Sequence, residues 1–161
     1  MSALEFIATS AGQASTEGQN GPQFSIGIDL GTTHCALSWI DHAASDGERV
    51  AQGVLDVPQL TAPASVQALP LLPSFLYLPH ESELAPADRA LPGQAPQDGV
   101  VGEFARTRGA ATPIRLVASA KSWLCHPGVD RRAPLLPADA PEDVARLSPL
   151  AASTRYLEHL R

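Results

Sequence analysis

Phe24-Ser25-Ile26-Gly27-Ile28-Asp29-Leu30-Gly31-Thr32-Thr33 is the stretch on which the reading of this chain turns. Up to Asp29, larger apolar residues alternate with small or polar ones, the pattern of a half-buried strand. Gly31-Thr32-Thr33 then supplies a turn and Cys35–Ile40 reads as a second strand, so a hairpin is predicted. A glycine in a tight strand–strand turn lets backbone N–H groups point into one concavity, which suits phosphate oxygens. Thr32 and Thr33 add hydroxyl donors, and Asp29, ending the first strand, is placed to hold Mg²⁺ through its water shell. The plain alternative is a hairpin with a solvated acidic end. Neither a Gly-x-x-x-x-Gly-Lys loop nor the dinucleotide-binding glycine fingerprint is present.

Outward from the hairpin, Val50–Val57 reads as a third strand ending before Pro58. The connections are too short for a crossover helix, so the three strands form an antiparallel meander. Pro58 to Gln97 is crowded with prolines, and within it Leu72–Leu78 reads as an edge or terminal strand. Glu81–Asp98 reads as a loop and Val100–Gly102 as a short strand. Helices are predicted over Glu103–Ala111 and Pro113–Leu124, the second with Thr112 as cap and Pro113 at the first helical position. Arg131–Asp143 is a Pro/Ala-rich loop. Ser148-Pro149 opens a last helix with Leu150, Leu157 and Leu160 on one stripe, and that pattern is still running at Arg161. At the other end, Met1–Pro22 has no periodicity and reads as a flexible leader, with order beginning at Gln23. The expected fold class is α/β, an antiparallel hairpin and meander with helices, over residues 23–161 and cut in mid-pattern.

Composition narrows the function classes. The chain has 161 residues, 44% of them hydrophobic, enough for one domain with a real core. A formal charge of −6 with only eleven scattered Lys and Arg argues against nucleic acid, whose phosphates need clustered cations. Two cysteines, Cys35 and Cys125, make no disulfide framework and fit a reducing compartment. No stretch approaches the ~20 apolar residues of a membrane span, and Leu4–Ala8 is too short for a signal-peptide core. The expectation is a cytoplasmic protein without a membrane partner.

Ile26–Thr33 resembles the first phosphate motif shared by actin, sugar kinases and DnaK-type seventy-kilodalton heat-shock chaperones. Three later marks, in order, turn the resemblance toward the chaperones: Pro73-Ser74-Phe75-Leu76, Val101-Gly102-Glu103-Phe104-Ala105, and Ser119-Ala120-Lys121-Ser122-Trp123-Leu124. The resemblance covers roughly Phe24–Cys125. It implies part of the first lobe of an actin-like (ribonuclease H-like) ATPase domain, with ATP/ADP and Mg²⁺ as cofactors, and unfolded clients and co-chaperones as partners. It further implies that Gly31, Thr32, Thr33 and the His34 backbone bind phosphate, that Asp29 positions hydrated Mg²⁺, and that Lys121 acts catalytically near the γ-phosphate.

Lys121 also has a reading from spacing. It falls seven residues after Ile114, four after Val117 and three before Leu124, so in a Pro113–Leu124 helix it would sit on the apolar stripe. There it either snorkels to water or directs its amine into a cleft where phosphate supplies the opposite charge. Departures from the family pattern are His34 and Cys35 after the two threonines, and a long segment around Glu81–Asp98.

Other constellations carry less. His34-Cys35 and Cys125-His126 number four zinc-type ligands, but adjacent strand residues point to opposite faces. Glu142-Asp143 reads as a solvated acidic turn before the Ser148 cap. Two other functions stand beside a chaperone ATPase portion: a non-catalytic interaction module derived from one, and a fragment of an actin-like sugar kinase. Lacking a second phosphate loop and an adenine-binding lobe, the chain alone is expected to be inactive.

Overall fold

The computed structural model describes residues 21–161, so most of the leader expected over Met1–Pro22 lies outside the described residues. The structure is mixed α/β, built from antiparallel sheets and a few helices. Strands β1 (Phe24–Leu30), β2 (His34–Asp41) and β3 (Ala51–Leu55) form the expected meander, with β2 in the middle. Registers such as Ile26↔Trp39 and Leu37↔Leu55 put Ile26, Ile28, Leu30, Cys35, Leu37, Trp39 and Leu55 on one face. The end of that face nearest the turn is buried, whereas Ile26 and Ile28 remain 53% and 56% exposed.

The third strand does not run to Val57 as expected. It breaks at Asp56, and a separate hairpin follows, β4 (Val57–Ala62) with β5 (Ser65–Leu69). Pro58 is tolerated there because each strand of a two-stranded ribbon has a free edge. The run Leu72–Leu78 also divides, at Ser74, into β6 (Leu72–Pro73) and β7 (Phe75–Tyr77). β6 pairs with the start of β2. β7 is central rather than an edge, lying between β8 (Val100–Val101) and β9 (Leu116–Ala118). Burial on both faces explains why Phe75-Leu76-Tyr77 is apolar without alternation.

β7 thereby separates two cores. Leu76 faces a cluster with Cys35, Leu72, Val117, Ala120, Leu136 and Tyr156. Tyr77 faces the other way, toward Leu60, Leu84, Val100, Phe104 and Ala105. Helix α1 (Glu103–Ala111) lies where expected. Its first N–H is capped from β4, where buried Gln59 accepts from Glu103 N at 2.9 Å and donates to the Leu71 carbonyl at 2.9 Å. Gly102 precedes it at φ 96°, and a Cβ there would meet Gln59 Oε1 at 2.6 Å. Only glycine meets both demands.

The helix expected over Pro113–Leu124 is not formed. Pro113–Arg115 makes one 3₁₀ turn, β9 follows, and Ser119 at φ 55° leads into the short helix α2 (Ala120–Leu124). Pairing of Leu116–Ala118 with β7, and burial of Val117 at 1% exposure, override the local helical spacing. Thr112 makes no side-chain cap. The last helix, α3 (Pro149–Leu160), begins as expected, with Ser148 Oγ accepting from Ala151 N at 3.0 Å. Its buried stripe is Pro149, Ala152, Ser153, Tyr156 and Leu160, whereas Leu150 and Leu157 face outward. No helix among the described residues is long and apolar enough to cross a membrane.

Two buried polar groups give opposite expectations. Gln59→Leu should cost about 1–3 kcal/mol, because Glu103 N–H and the Leu71 carbonyl lose their partner. Tyr156→Phe should instead raise stability by about 1 kcal/mol, because the Tyr156 hydroxyl is buried with no hydrogen-bond partner among the described residues. Urea midpoints decide both; a neutral Gln59→Leu refutes the capping role. A third expectation concerns His159 on α3, whose ring nitrogen lies 2.9 Å from the Pro58 carbonyl. Burial holds His159 below its ordinary value of 6.5, against the smaller opposing effect of that hydrogen bond. The unfolded chain therefore takes up a proton that the folded chain resists, and stability present above about pH 6.5 is lost as pH falls. The urea midpoint should drop toward about pH 5, and His159→Gln should flatten part of that drop.

Candidate functional site

The hairpin turn is shaped from behind. Ser74, between β6 and β7 and 1% exposed, donates its hydroxyl to the Gly31 carbonyl at 2.8 Å. Its backbone N–H donates to the Thr33 carbonyl at 2.9 Å. A trans peptide points its C=O and the following N–H in opposite directions. Holding the Gly31 and Thr33 carbonyls toward Ser74 therefore turns the N–H groups of Thr32 and His34 away from it. Gly31 is required by contact as well, since a Cβ there would lie 2.0 Å from the His34 carbonyl oxygen.

Cys35 completes this back wall. It is fully buried, and its Sγ lies 3.2 Å from Ser74 Oγ. Because the single Ser74 proton goes to Gly31, the thiol is the donor in that pair. Burial pushes the Cys35 thiol above its ordinary range, and its hydrogen bonds with Ser74 and the Gly31 backbone only partly oppose this. The departure noted at Cys35 is thus accommodated as a neutral thiol in the clamp.

The remaining site residues face outward. Thr32, Thr33 and Asp29 are exposed, and their side chains make no hydrogen bond or ion pair among the described residues. Asp29 pairs with Ala36 across the hairpin, on the face that also carries Gly27, so its carboxylate has only small neighbours. Asp29 offers a single carboxylate without a partner among the described residues, and a Mg²⁺ ion that keeps most of its waters needs few protein ligands. His34 is half-buried and paired with Pro73, while Cys35 points into the core. Among the described residues, no group of three or more His, Cys, Asp or Glu is placed to share a metal ion.

Lys121 reaches this end of the molecule by a route different from the expected one. It is exposed near the start of α2 and sits on no long apolar stripe. Its neighbour Ala120 packs in the same cluster as Cys35 and Leu72. The Lys121 charge lowers the Cys35 pKa and the Asp29 charge raises it, so both charges lie within range of the clamp. Lys121 makes no ion pair or hydrogen bond among the described residues. Asp29 and Lys121 thus both bear electrostatically on buried Cys35, while Glu142 and Asp143 lie in an exposed turn, Asp143 pairing with Arg115 at 3.0 Å.

Sequence reasoning marked Ser74 only as part of a motif and passed over Gln59 entirely. Neither has a local signal for its role, because each acts on a residue more than forty positions away. No protein-family model, curated protein or solved structure matches the chain.

Ser74→Ala should free the turn and cost about 1–3 kcal/mol, since the Gly31 carbonyl and the Cys35 thiol lose a buried partner. Alkylation provides a local readout. Exposed Cys125 should react quickly in both proteins, whereas Cys35, protected in the wild type, should react faster in the variant. Unchanged protection and an unchanged urea midpoint would show that Ser74 does not clamp the turn.

Proposed function

We propose that this chain is the ATP-binding portion of a DnaK-type chaperone, forming part of the first lobe of an actin-like ATPase domain. The observation that carries the reading is the Ser74 clamp, which turns the Thr32 and His34 N–H groups away from Ser74 at a turn where the Asp29 carboxylate has no partner among the described residues. The resemblance of Pro73-Ser74 to the chaperone mark supports it, since that serine is the clamp. The apolar strip of Ile26 and Ile28, covered by nothing among the described residues, suits a sheet that is one part of a larger lobe.

Each residue has a role in kind. Thr32 and Thr33 hydroxyls with the Thr32 and His34 N–H groups bind phosphate oxygens, and Gly31 permits their close approach. Asp29 holds hydrated Mg²⁺, which neutralises phosphate charge when bound. Lys121 stabilises charge on the outermost phosphate or orients water there. Phosphoryl transfer depends mainly on such positioning and neutralisation. Protein folding of clients, with co-chaperones, follows only for a protein that also carries a second lobe and a peptide-binding domain.

Mg²⁺–ATP added to labelled protein should shift the amide signals of Thr32, Thr33 and His34. Asp29→Asn should weaken binding about tenfold with Mg²⁺ present, about 1.4 kcal/mol, and far less without it. The chain alone should show no ATP turnover above background. Absence of shifts at residues 31–34 would favour the non-catalytic interaction module.

A further inference from the structure

A concave site lies away from the hairpin. It is a cleft of about 490 Å³ whose lining includes Leu76, Leu78 and Leu147 together with Arg89, Arg115 and Arg155. None of residues 29–34 lines it. The volume is that of an ordinary small-molecule site, and a few charged groups over an apolar floor is the usual make-up of one.

The three guanidinium groups are not equivalent. Arg115 is bound to Asp143 at 3.0 Å. Arg155 is held by Gln97 Oε1 at 2.6 Å and by Glu158 at 3.6 Å. Arg89 has neither: no side-chain hydrogen bond or ion pair among the described residues includes it, and although its Nε is shut off from solvent, its terminal nitrogens are not. A cleft arginine with no anionic partner keeps its terminal nitrogens for one, and a guanidinium offers planar donors to a single anionic group.

The loop carrying Arg89 is fixed rather than free. Asp88, its neighbour, accepts from Ala64 N at 2.8 Å through its carbonyl. Glu83 is tied to the core by Tyr77, whose hydroxyl donates to it at 2.8 Å, and to α1 by Arg108. The long Glu81–Asp98 segment is therefore built to present Arg89 at a set place, which gives this departure from the family pattern a purpose.

We infer that this cleft binds a small organic monocarboxylate, its carboxylate on Arg89 and its apolar body on Leu76, Leu78 and Leu147. A single negative charge matches the one unpaired guanidinium. A phosphate dianion matches less well, because exposed Glu81 and Asp98 also line the rim.

Hexanoate is the probe, with acetate and inorganic phosphate as comparators, followed by NMR on the labelled chain. Hexanoate should bind saturably, more tightly than acetate, and shift the Arg89 Nε–H signal together with residues around Leu78 and Leu147. Arg89→Gln should weaken binding by about tenfold or more. Arg106→Gln, changing an exposed arginine paired with Glu103 on α1, should leave it unchanged. Equal binding by Arg89→Gln, no shift of the wild-type Arg89 signal, or a preference for phosphate at this cleft would each overturn the inference. Phosphate shifts confined to residues 29–34 report on the hairpin instead, so the two sites fail or succeed separately.

Discussion

Ser74 binds two carbonyls of the hairpin turn, Gly31 through its hydroxyl and Thr33 through its amide, and the geometry of the candidate site depends on that double contact. Peptide planarity converts the two hydrogen bonds into an orientation for two other groups, the N–H of Thr32 and of His34. Ser74 is also the residue at which one apolar run changes sheets, from β6 beside β2 to β7 between β8 and β9. The turn is therefore referenced to both sheets at once. A hairpin of this sequence outside such a framework would have no reason to keep its donors aligned.

Gln59 does for α1 what Ser74 does for the turn. It reaches from β4 to cap the helix at Glu103 and, with its other amide atom, holds the Leu71 carbonyl just before β6. Both side chains are buried and polar, and both are satisfied by backbone groups of distant segments. Such ties are costly to leave half-made, so they fix one arrangement among several that hydrophobic burial alone would accept. Ser153 and Tyr156 show the opposite case, with buried hydroxyls and no partner among the described residues.

Charge is distributed along the same lines. At the hairpin end, Asp29 and Lys121 are left unpaired, each close enough to influence the buried Cys35 thiol. On the cleft side, Arg115 and Arg155 are neutralised by neighbours while Arg89 is not. In an acidic protein, Lys121 and Arg89 each keep a positive charge with no anionic partner among the described residues. The hairpin presents N–H groups turned away from Ser74 and an exposed carboxylate, and the cleft offers apolar wall.

The sequence alone determined the elements whose signal is local. Alternation and a turn glycine specify β1 and β2; Ser148-Pro149 specifies the start of α3; Glu103–Ala111 is helical in both readings. Tertiary structure decided what depends on partners far along the chain. Leu116–Ala118 has helical spacing but becomes a strand, because β7 offers an unpaired edge and a pocket for Val117. Val57–Leu69, rich in proline, still forms a hairpin because Gln59 and Leu60 bury against α1 and β7. Of the stripe expected on α3, Leu160 is buried but Leu150 and Leu157 face outward, since spacing gives a helix several apolar faces and only packing against the cluster of Cys35 and Leu72 selects among them. Lys121 was placed at the site by family resemblance; its position near Cys35 is set by Ala120 packing into the core. Local pattern follows from backbone geometry and side-chain periodicity, whereas contacts across forty residues depend on free energies that no short window contains.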